Sequence, residues 1–491
     1  MGTNSRYRLR IISFLIASFA PCLLISAVLA QDLDSQRVRA IREHHSREKS
    51  NAANGEDAAA QTPRNDRADP ANKEGEDENG GNKPMRPGKR LKLLGVSCTS
   101  GCTVSNRDEL ASVISSAAPG SVITIAPGVY KLSKALKLVG DQPEDNKTPI
   151  TLRAEKLGTV RIESNGLIAI RVQRPNWIIE NLELVGVCRK QTGCEHAFHL
   201  IGPVSNTIIR NNRLRDFNSA IKAGGGGAGG KFATDVLIEG NHIFNSTIRD
   251  TGLPVTQIDV NGGKRWKVID NFIADFGKAS GNHTSYAGFL KSNSRDGVFA
   301  RNLVICEWHH KGGTRVGLSF GGGGTTNPNV CEDGDCSTFH TGGLMINNII
   351  MNCPDVGIYL NRSKDTKVYN NTLINTTGID ARFDITSAII ENNIVLGKIR
   401  ARSGATVEEK NNILDGFFDG KVEFTNPDEG DLSLKSGGEL LMHGVLPPEV
   451  TEDFCGNPRT PTSANIGAIA YGSGKCDVSA RIRRALEGFK E

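Results

Sequence analysis

Short apolar runs alternate with polar residues along the middle of the chain, and each run is followed by an asparagine and a second apolar group. The stretches VIDNFI (268–273) and IIENNIV (389–395) show the unit. Its asparagines are Asn181, Asn212, Asn241, Asn271, Asn302, Asn348, Asn371, Asn393 and Asn412. Such short units repeat too closely for separate domains, and one unit cannot bury its own apolar face. The pattern therefore predicts an all-β solenoid of stacked coils.

The repeated asparagines have a structural explanation in such a fold. Equivalent side-chain amides in stacked coils can form a ladder of hydrogen bonds. We expect Asn212, Asn241, Asn271, Asn302 and Asn348 to line up along the axis, separated by roughly 4.8 Å.

The spacing of the asparagines is uneven. Between Asn181 and Asn348 the intervals are 29 to 31 residues and once 46, whereas the later intervals are 19 to 23. The longer coils must carry additional loops, and loops on a rigid scaffold commonly hold binding groups. The middle coils are therefore predicted to carry a cleft with one or two walls of loops.

The two ends of the solenoid also have recognisable patterns. Leu110, Val113 and Ile114 have helical spacing, Pro119-Gly120 ends that helix, and a strand is predicted over 122–125. This helix would cover the open N-terminal end of the coils. We place the β-helix domain at 93–476, with 453–472 as its closing segment and 477–491 as a short C-terminal helix or tail.

The N-terminal residues resemble an export signal. Arg6, Arg8 and Arg10 precede the apolar stretch 11–27, and Val28 and Ala30 occupy the small-residue positions before a cut at Gln31. The alternative is an uncleaved membrane anchor, which Pro21 and the cleavage pattern disfavour. We assign 1–30 as a signal peptide and 31–92 as a disordered polar spacer, because the latter contains almost no large apolar residues.

Cysteine usage agrees with export. Of 11 cysteines, one (Cys22) would leave with the signal, and the even remainder suggests disulfides. Their positions predict the pairs Cys188–Cys194, Cys331–Cys336 and Cys306–Cys353, with Cys455–Cys476 stapling the closing segment. A secreted, periplasmic or cell-surface monomer is expected, without a transmembrane segment in the mature chain.

Composition narrows the function. A net charge of +5 over 491 residues gives no reason to expect a nucleic-acid partner. A hydrolase of polyuronates would show clustered aspartates, and the sequence has no Asp-Asp pair. Two GGGG runs, 224–227 and 321–324, lie outside any strand–loop–helix phosphate motif. They indicate either a close approach of backbone to a sugar chain or a flexible loop.

Residues 94–475 resemble the right-handed parallel β-helix of pectate-lyase-like proteins. Within them, GFLKSNSRDGVFARNL (288–303) resembles the lysine step of polysaccharide lyase family 6, the chondroitinase B and alginate lyase group. The resemblance implies that Lys291 is a catalytic base assisted by an arginine from a following coil, for which Arg315 is the nearest candidate. Aligning YAGFLK with RVGLSF puts Arg315 level with Tyr286. The resemblance also implies calcium, although the segment before the lysine, NHTSYAGF (282–289), lacks the expected acidic ligands.

The chemistry of β-elimination fits these residues. A base must remove the C5 proton of a uronate, and cations must neutralise its carboxylate. Lys291 and Arg382 each lie eleven residues before a repeated asparagine, Asn302 and Asn393. They should therefore occupy equivalent positions in their coils and stack in one column along the axis. Candidate substrate-binding residues around the cleft are Lys264, Arg265, Arg295, Arg362, Arg382 and His283.

The sequence therefore predicts a lyase that acts on an acidic polysaccharide. Two alternatives stay open at this point. One is a uronate C5-epimerase, which shares the proton abstraction. The other is a non-catalytic carbohydrate-binding or cell-surface β-helix.

Overall fold

The computed structural model describes residue 98 and residues 100–486, apart from 141–146, 226–229, 326, 415–423, 427–430, 435–444, 461–465 and 472–475. The predicted signal peptide and spacer, residues 1–92, lie outside the described residues. Within the described part of the chain, no helix is long and apolar enough to cross a membrane.

The described chain forms a right-handed parallel β-helix, as predicted. Each complete coil contributes one strand to each of three long sheets, A, B and C, and every pairing within these sheets is parallel. The chain passes from A to B to C and then begins the next coil. This connection order makes the backbone hydrogen bonds of each coil depend on its neighbours.

Sheet A consists of β1 (Gly101–Val104), β2 (Val122–Ile125), β5 (Ile150–Ala154), β8 (Trp177–Glu180), β11 (Ile208–Arg210), β14 (Leu237–Glu239), β17 (Lys267–Ile269), β21 (Val298–Ala300), β25 (Leu344–Ile346), β29 (Thr366–Tyr369), β32 (Ser387–Glu391) and β35 (Thr406–Lys410). Sheet B consists of β3 (Gly128–Leu132), β6 (Val160–Ser164), β9 (Glu183–Gly186), β12 (Arg213–Arg215), β15 (His242–Phe244), β18 (Phe272–Ala274), β22 (Leu303–Ile305), β26 (Ile349–Cys353), β30 (Thr372–Thr376), β33 (Ile394–Val395) and β36 (Ile413–Leu414).

Sheet C consists of β4 (Leu136–Leu138), β7 (Ile168–Val172), β10 (His196–Ile201), β13 (Ile221–Gly224), β16 (Val255–Asn261), β19 (Thr284–Lys291), β23 (Thr314–Phe320), β27 (Ile358–Asn361), β31 (Gly378–Arg382) and β34 (Lys398–Arg402). The turns after sheet C add a small parallel sheet of β20 (Ser294–Arg295), β24 (His340–Thr341) and β28 (Ser363–Lys364). An antiparallel pair follows, β37 (Phe424–Asn426) and β38 (Asp431–Leu434).

The core is a column of inward side chains, with matching positions stacked from coil to coil. Ile209 of β11, Ile238 of β14, Val268 of β17 and Phe299 of β21 are register partners on sheet A, and all are fully buried. Burying each such side chain contributes about 1.5–3 kcal/mol. Three-residue strands suffice, because the central residue faces inward and its neighbours face outward.

The asparagine ladder is confirmed from Asn212 to Asn412. At each step the side-chain Nδ2 donates to the Oδ1 of the next coil's asparagine, as from Asn271 to Asn302 at 3.0 Å and from Asn302 to Asn348 at 2.9 Å. The backbone N–H of Asn271 donates to the same Oδ1 at 3.1 Å, and its Nδ2 also donates to the carbonyl of Ile238 at 2.9 Å. The ladder thereby satisfies buried polar groups of the turns between sheets A and B from Asn212 to Asn412.

Asn181, the first of the repeated asparagines, lies one residue before the ladder position. Asn211 donates its Nδ2 to the Asn181 Oδ1 at 2.6 Å, so these two positions are equivalent. Leu182 occupies the ladder position, and its backbone N–H donates to the Asn212 Oδ1 at 3.0 Å. Asn181 and Asn211 both have positive φ, which identifies them as the left-handed turn residues that precede the ladder.

The helix predicted at the N-terminal end is present as α1 (Arg107–Ser116). It buries Leu110, Val113 and Ile114, the three residues with helical spacing. The Asn106 side chain caps it by accepting from the Glu109 backbone N–H at 2.9 Å. The short strand expected after it is β2.

The C-terminal segment covers the outer face of sheet B. Outward-facing Phe272, Leu303 and Ile349 form a second apolar cluster, to which Phe454 and Ile469 of this segment also belong. The closing segment predicted at 453–472 thus lies along the side of the solenoid in its described parts. It continues into α2 (Val478–Leu486).

The predicted disulfides are confirmed. The structure contains Cys188–Cys194, Cys331–Cys336, Cys306–Cys353 and Cys455–Cys476. A fifth, Cys98–Cys102, was not predicted as a pair. Only Cys306–Cys353 directly links neighbouring coils, with its Cα atoms 4.9 Å apart.

The additional residues of the middle coils lie at the two ends of the sheet C strands. The connections from sheet B to sheet C include 245–254, 275–283 and 306–313. Among the connections from sheet C to sheet A, the segment 321–343 accounts for the interval of 46 residues. These two sets of loops border the outer face of sheet C, which agrees with the predicted position of a cleft.

The ladder can be tested by substitution. We expect Asn271→Ala to lower the free energy of unfolding by about 2–4 kcal/mol, because it leaves several buried donors and acceptors without partners. The exposed turn residue Asn211 gives the control, since Asn211→Gly suits its positive φ and should cost less than about 1 kcal/mol. Guanidinium unfolding measures both variants, and equal effects would contradict a ladder that stabilises the fold.

The link between coils gives a second test. Replacing Cys306 and Cys353 together by serine should lower the free energy of unfolding by about 2–4 kcal/mol, since the disulfide closes a long loop in the unfolded chain. Mass mapping of the non-reduced wild type should recover the linked peptides. Free thiols at these two positions would refute the assignment.

Candidate functional site

The register of sheet C arranges its outward side chains in two rows that run along the axis. We call the first the central row; in strand order it contains Lys137, Arg171, His199, Lys222, Asp259, Phe289, Ser319, Tyr359, Asp380 and Arg400. The second, which we call the end row, contains Asn261, Lys291, Gly321, Asn361, Arg382 and Arg402. Polar and charged residues dominate both rows, in contrast with the apolar outer face of sheet B.

Lys291 is the last residue of β19 and is half-buried. Its Nζ donates to the carbonyl of Gly324 at 3.0 Å and lies 4.9 Å from the centroid of the Phe289 ring. Tyr286 packs edge-on against Phe289, with ring centroids 5.3 Å apart. Lys291 thus emerges from the end of a strand at the predicted place, beside an aromatic pair and under a loop.

The loop over Lys291 begins with the second GGGG run, residues 321–324. Gly321 has a φ of 99°, and a Cβ there would lie 1.9 Å from the carbonyl oxygen of Asn361. Gly322 packs against Phe289, and its carbonyl accepts from the Asn361 Nδ2 at 2.7 Å. The glycine run therefore allows a close approach of backbone, which is the first of the two interpretations given above. The backbone approaches the protein's own strands, however, and not a sugar chain.

Arg382 shares a row with Lys291, which confirms the column predicted from the asparagine spacing. Three strand steps separate them, a distance of about 14 Å along the axis. The Arg382 guanidinium lies 4.9 Å from the Phe383 ring centroid, and that of Arg362 lies 5.2 Å from the same ring. The two predicted arginines therefore gather around Phe383, beyond the immediate surroundings of Lys291.

Arg315 does not lie beside Lys291, and this corrects the expected pairing. Its register partner is Ser285, one residue earlier than the alignment with Tyr286 and at the opposite end of β19 from Lys291. The guanidinium is fully buried, donates to the carbonyls of Gly312 and Cys306, and lies 3.8 Å from the Asp275 carboxylate. A buried guanidinium with these partners stabilises the connection between sheets B and C.

The other predicted binding residues are spread over the bordering loops. Lys264 pairs with Glu332 at 3.4 Å, Arg265 with Asp235 at 2.6 Å and Arg295 with Asp333 at 3.3 Å, all in connections from sheet C to sheet A. His283 is exposed and precedes β19, at the end opposite Lys291. The structure therefore places these residues in the connections at the two ends of the sheet C strands and does not bring them together at one point.

Sequence reasoning missed the positive part of the central row. Arg171, His199 and Lys222 lie on adjacent strands β7, β10 and β13. Lys222 donates to the Asp259 carboxylate at 2.9 Å, and Asn261 donates to the other carboxylate oxygen at 3.1 Å. The available signal was a single polar residue between two buried apolar ones, as in Phe198-His199-Leu200.

Burial dominates the electrostatics of His199. It lowers the pKa of the imidazole to about 2, with further lowering from His196, Lys222 and Arg171. The ring is therefore neutral at physiological pH. Its Nδ1 is buried and has no hydrogen-bond partner among the described residues.

The residues near Lys291 do not match a calcium site. The segment 282–289 has no carboxylate, and Asp259 on the neighbouring strand is already paired with Lys222. Among the residues that the structure describes, no group of three or more His, Cys, Asp or Glu side chains is placed to hold a metal ion.

Comparison with known proteins identifies the fold. No family model matches the chain, and no curated protein matches its sequence. Among solved structures, pectate lyase Pel9A aligns with a TM-score of 0.53 at 11% identity, over 77% of this chain and 98% of that chain. The chain thus has the pectate-lyase-like right-handed parallel β-helix.

Other solved structures align less closely. They include a PL6-family polysaccharide lyase from Pseudopedobacter saltans, with a TM-score of 0.33 at 13% identity over 68% of this chain and 96% of that chain. They also include the A-module of a mannuronan C-5 epimerase from Azotobacter vinelandii, with a TM-score of 0.38 at 12% identity over 60% of this chain and 85% of that chain.

The glycine turn over Lys291 can be tested directly. Gly321→Ala cannot keep the present turn, because its Cβ would overlap the Asn361 carbonyl oxygen and its φ is positive. We expect faster acylation of Lys291 in this variant, since Gly324 would no longer hold its ammonium. Quantitative mass spectrometry after brief acylation measures the change, with Gly101→Ala as a control because a Cβ there meets nothing within 4 Å. Unchanged labelling of Lys291 would contradict the role given to the turn.

Proposed function

We propose that this protein is an exported polysaccharide lyase that cleaves a uronate-containing glycan by β-elimination. The observation that carries the proposal is the outer face of sheet C, where two rows of cationic and polar side chains run between the bordering loops. A polyanionic chain lying along the axis would cross the strands at intervals of about 4.8 Å. It would meet the side chains of the rows that stay partly exposed, among them Arg171, Lys222, Lys291 and Arg382. The fold shared with pectate lyase Pel9A supports this assignment.

Lys291 is the candidate base. It would take the proton from C5 of the bound uronate, the C5–H electrons would form the C4–C5 double bond, and the C4–O bond would break. The leaving oxygen then takes a proton, which the Lys291 ammonium can return. To reach the substrate, the Nζ must first release the carbonyl of Gly324, so a bound glycan has to rearrange the 321–324 turn.

Cations on both sides of Lys291 would hold neighbouring sugars. Lys222 lies two strand steps towards the N-terminal end, and Arg382 lies three steps towards the C-terminal end. Both are too far to touch the sugar on which Lys291 acts. Their contribution would be to fix the register of the glycan along the cleft.

Export is supported by the disulfides. Five pairs join all ten cysteines that follow Cys22. Such a set persists in oxidising compartments and is rare in the cytosol.

The reaction is tested by incubating the purified protein with alginate, chondroitin, pectate and heparin-type chains. A lyase generates unsaturated uronate ends, which absorb in the ultraviolet. An epimerase would exchange the C5 proton with deuterated water without cutting the chain. Binding with neither change would support a carbohydrate-binding protein and contradict the lyase.

Lys291 provides the decisive variants. Lys291→Ala should abolish elimination, at least a thousandfold, because proton abstraction loses its base. Lys291→Arg should fail as well, since a guanidinium does not release a proton near neutral pH. Both should fold normally, because a half-exposed lysine contributes little to stability.

The exposed Lys131 of β3 is a matched control for the loss of one charge. Lys131→Ala should leave the initial rate unchanged. If Lys291→Ala retains wild-type activity, Lys291 has no part in the mechanism.

A further inference from the structure

The central row contains a positively charged cluster on the N-terminal side of Lys291. Arg171, His199, Lys222 and Asp259 occupy consecutive strands, so neighbouring backbones are about 4.8 Å apart. None of these four residues was predicted from the sequence to belong to a site.

The cluster carries more positive than negative charge. Asp259 is paired with Lys222 at 2.9 Å, and both side chains are largely buried. Arg171 makes no ion pair with any acid of the described chain, and its buried Nε has no hydrogen-bond partner there. A partly exposed guanidinium without an acidic partner is suited to binding an anion.

His199 lies between the two cations. It is 5% exposed, its Nδ1 lacks a partner within the described structure, and its ring contacts that of His196 edge-on, with centroids 5.0 Å apart. Buried polar atoms of native proteins are nearly always paired with protein or water. A neutral imidazole also supplies a hydrogen-bond donor without adding to the repulsion between Arg171 and Lys222.

We propose that Arg171, His199 and Lys222 form a subsite that binds the carboxylate of a uronate residue. The inference rests on the proposed action on an acidic glycan and specifies where a non-reacting sugar is held. The guanidinium of Arg171 would bind the two oxygens of the uronate carboxylate. The ammonium of Lys222 would contact both the Asp259 carboxylate and the uronate carboxylate. From Lys222 to the strand of Lys291 is about 10 Å along the axis, so the sugar held here is distinct from the one that reacts.

A remote subsite contributes binding energy to both the ground state and the transition state. Its loss should therefore raise KM and leave kcat nearly unchanged. A residue that only stabilises the fold would instead reduce the amount of active protein.

The test compares Arg171→Gln with Arg161→Gln. Arg161 belongs to β6, the strand before β7 in the chain, and therefore lies on sheet B. Its replacement removes the same charge as that of Arg171, but away from the face of sheet C. Calorimetric binding of free oligouronates to each full-length variant is the readout, with thermal unfolding as a check on folding. We expect Arg171→Gln to weaken binding by about tenfold or more, and Arg161→Gln to leave it unchanged.

The ligand provides a second arm. Methyl esterification removes the charge from each carboxylate, so the Arg171→Gln and wild-type proteins should bind esterified oligouronates equally. His199→Gln keeps a neutral donor and should weaken the binding of free oligouronates less than Arg171→Gln does.

The outcomes separate the two proposals. If the wild-type protein binds no oligouronate, the proposed function fails, and the subsite fails with it. If the wild type binds but Arg171→Gln binds as tightly as Arg161→Gln, the subsite is wrong and the function stands. An equal loss for free and esterified ligands would also overturn the subsite, because it would show a packing effect without a role for charge.

Discussion

The structure depends on hydrogen bonds between coils, because no coil can pair its backbone N–H and C=O groups with one another. In a parallel β-helix, the N–H and C=O groups of every strand point along the axis and find partners only in the coils on either side. The tight turns between sheets A and B face the same requirement at a buried corner. Here Asn271 and its equivalents solve it, since each amide bonds to a carbonyl on one side and to an amide oxygen on the other. The ladder fixes the register of the coils, and the register places every outward side chain in its row.

The outer faces of sheets B and C have opposite characters. The outward positions of sheet B carry Phe272, Leu303 and Ile349, whereas those of sheet C carry residues such as Asp259 and Lys291. The apolar face is covered by the C-terminal segment that includes Phe454. The polar face is bordered by the inserted loops. The solenoid thus buries one outer face against its own C-terminal segment and leaves polar side chains on another.

Much of the fold could be predicted from the sequence because the relevant signals are local. Leu110, Val113 and Ile114 define α1 within a single turn and a half, and an asparagine before an apolar pair marks every coil from the one that begins with β8. Asn181 was misplaced because an asparagine also suits the left-handed position just before the ladder. The left-handed turn position and the ladder position that follows it both favour asparagine. In a coil with one asparagine at this turn, the sequence does not show which of the two positions that asparagine occupies.

The site was harder to predict because its rows depend on register across loops of unequal length. Counting back from the ladder worked for Lys291 and Arg382, whose coils have the same spacing to their asparagines. The alignment of Arg315 was off by one residue, and a shift of one residue changes the face on which a side chain lies. His199 and Lys222 belong to different coils with different loops, so their proximity could be known only after the strands were paired.

The polarity of the ladder has an evolutionary consequence. Every amide from Asn212 to Asn393 donates in the same direction, and Leu182 ends the series with a backbone N–H alone. Each interior coil therefore donates from its asparagine Nδ2 to the next coil and accepts at its asparagine Oδ1 from the preceding coil. Duplication or deletion of one entire coil in the gene would preserve every hydrogen bond of the ladder, whereas a partial insertion in this corner would break it. Gain or loss of whole coils can therefore lengthen or shorten the face of sheet C without redesigning the core.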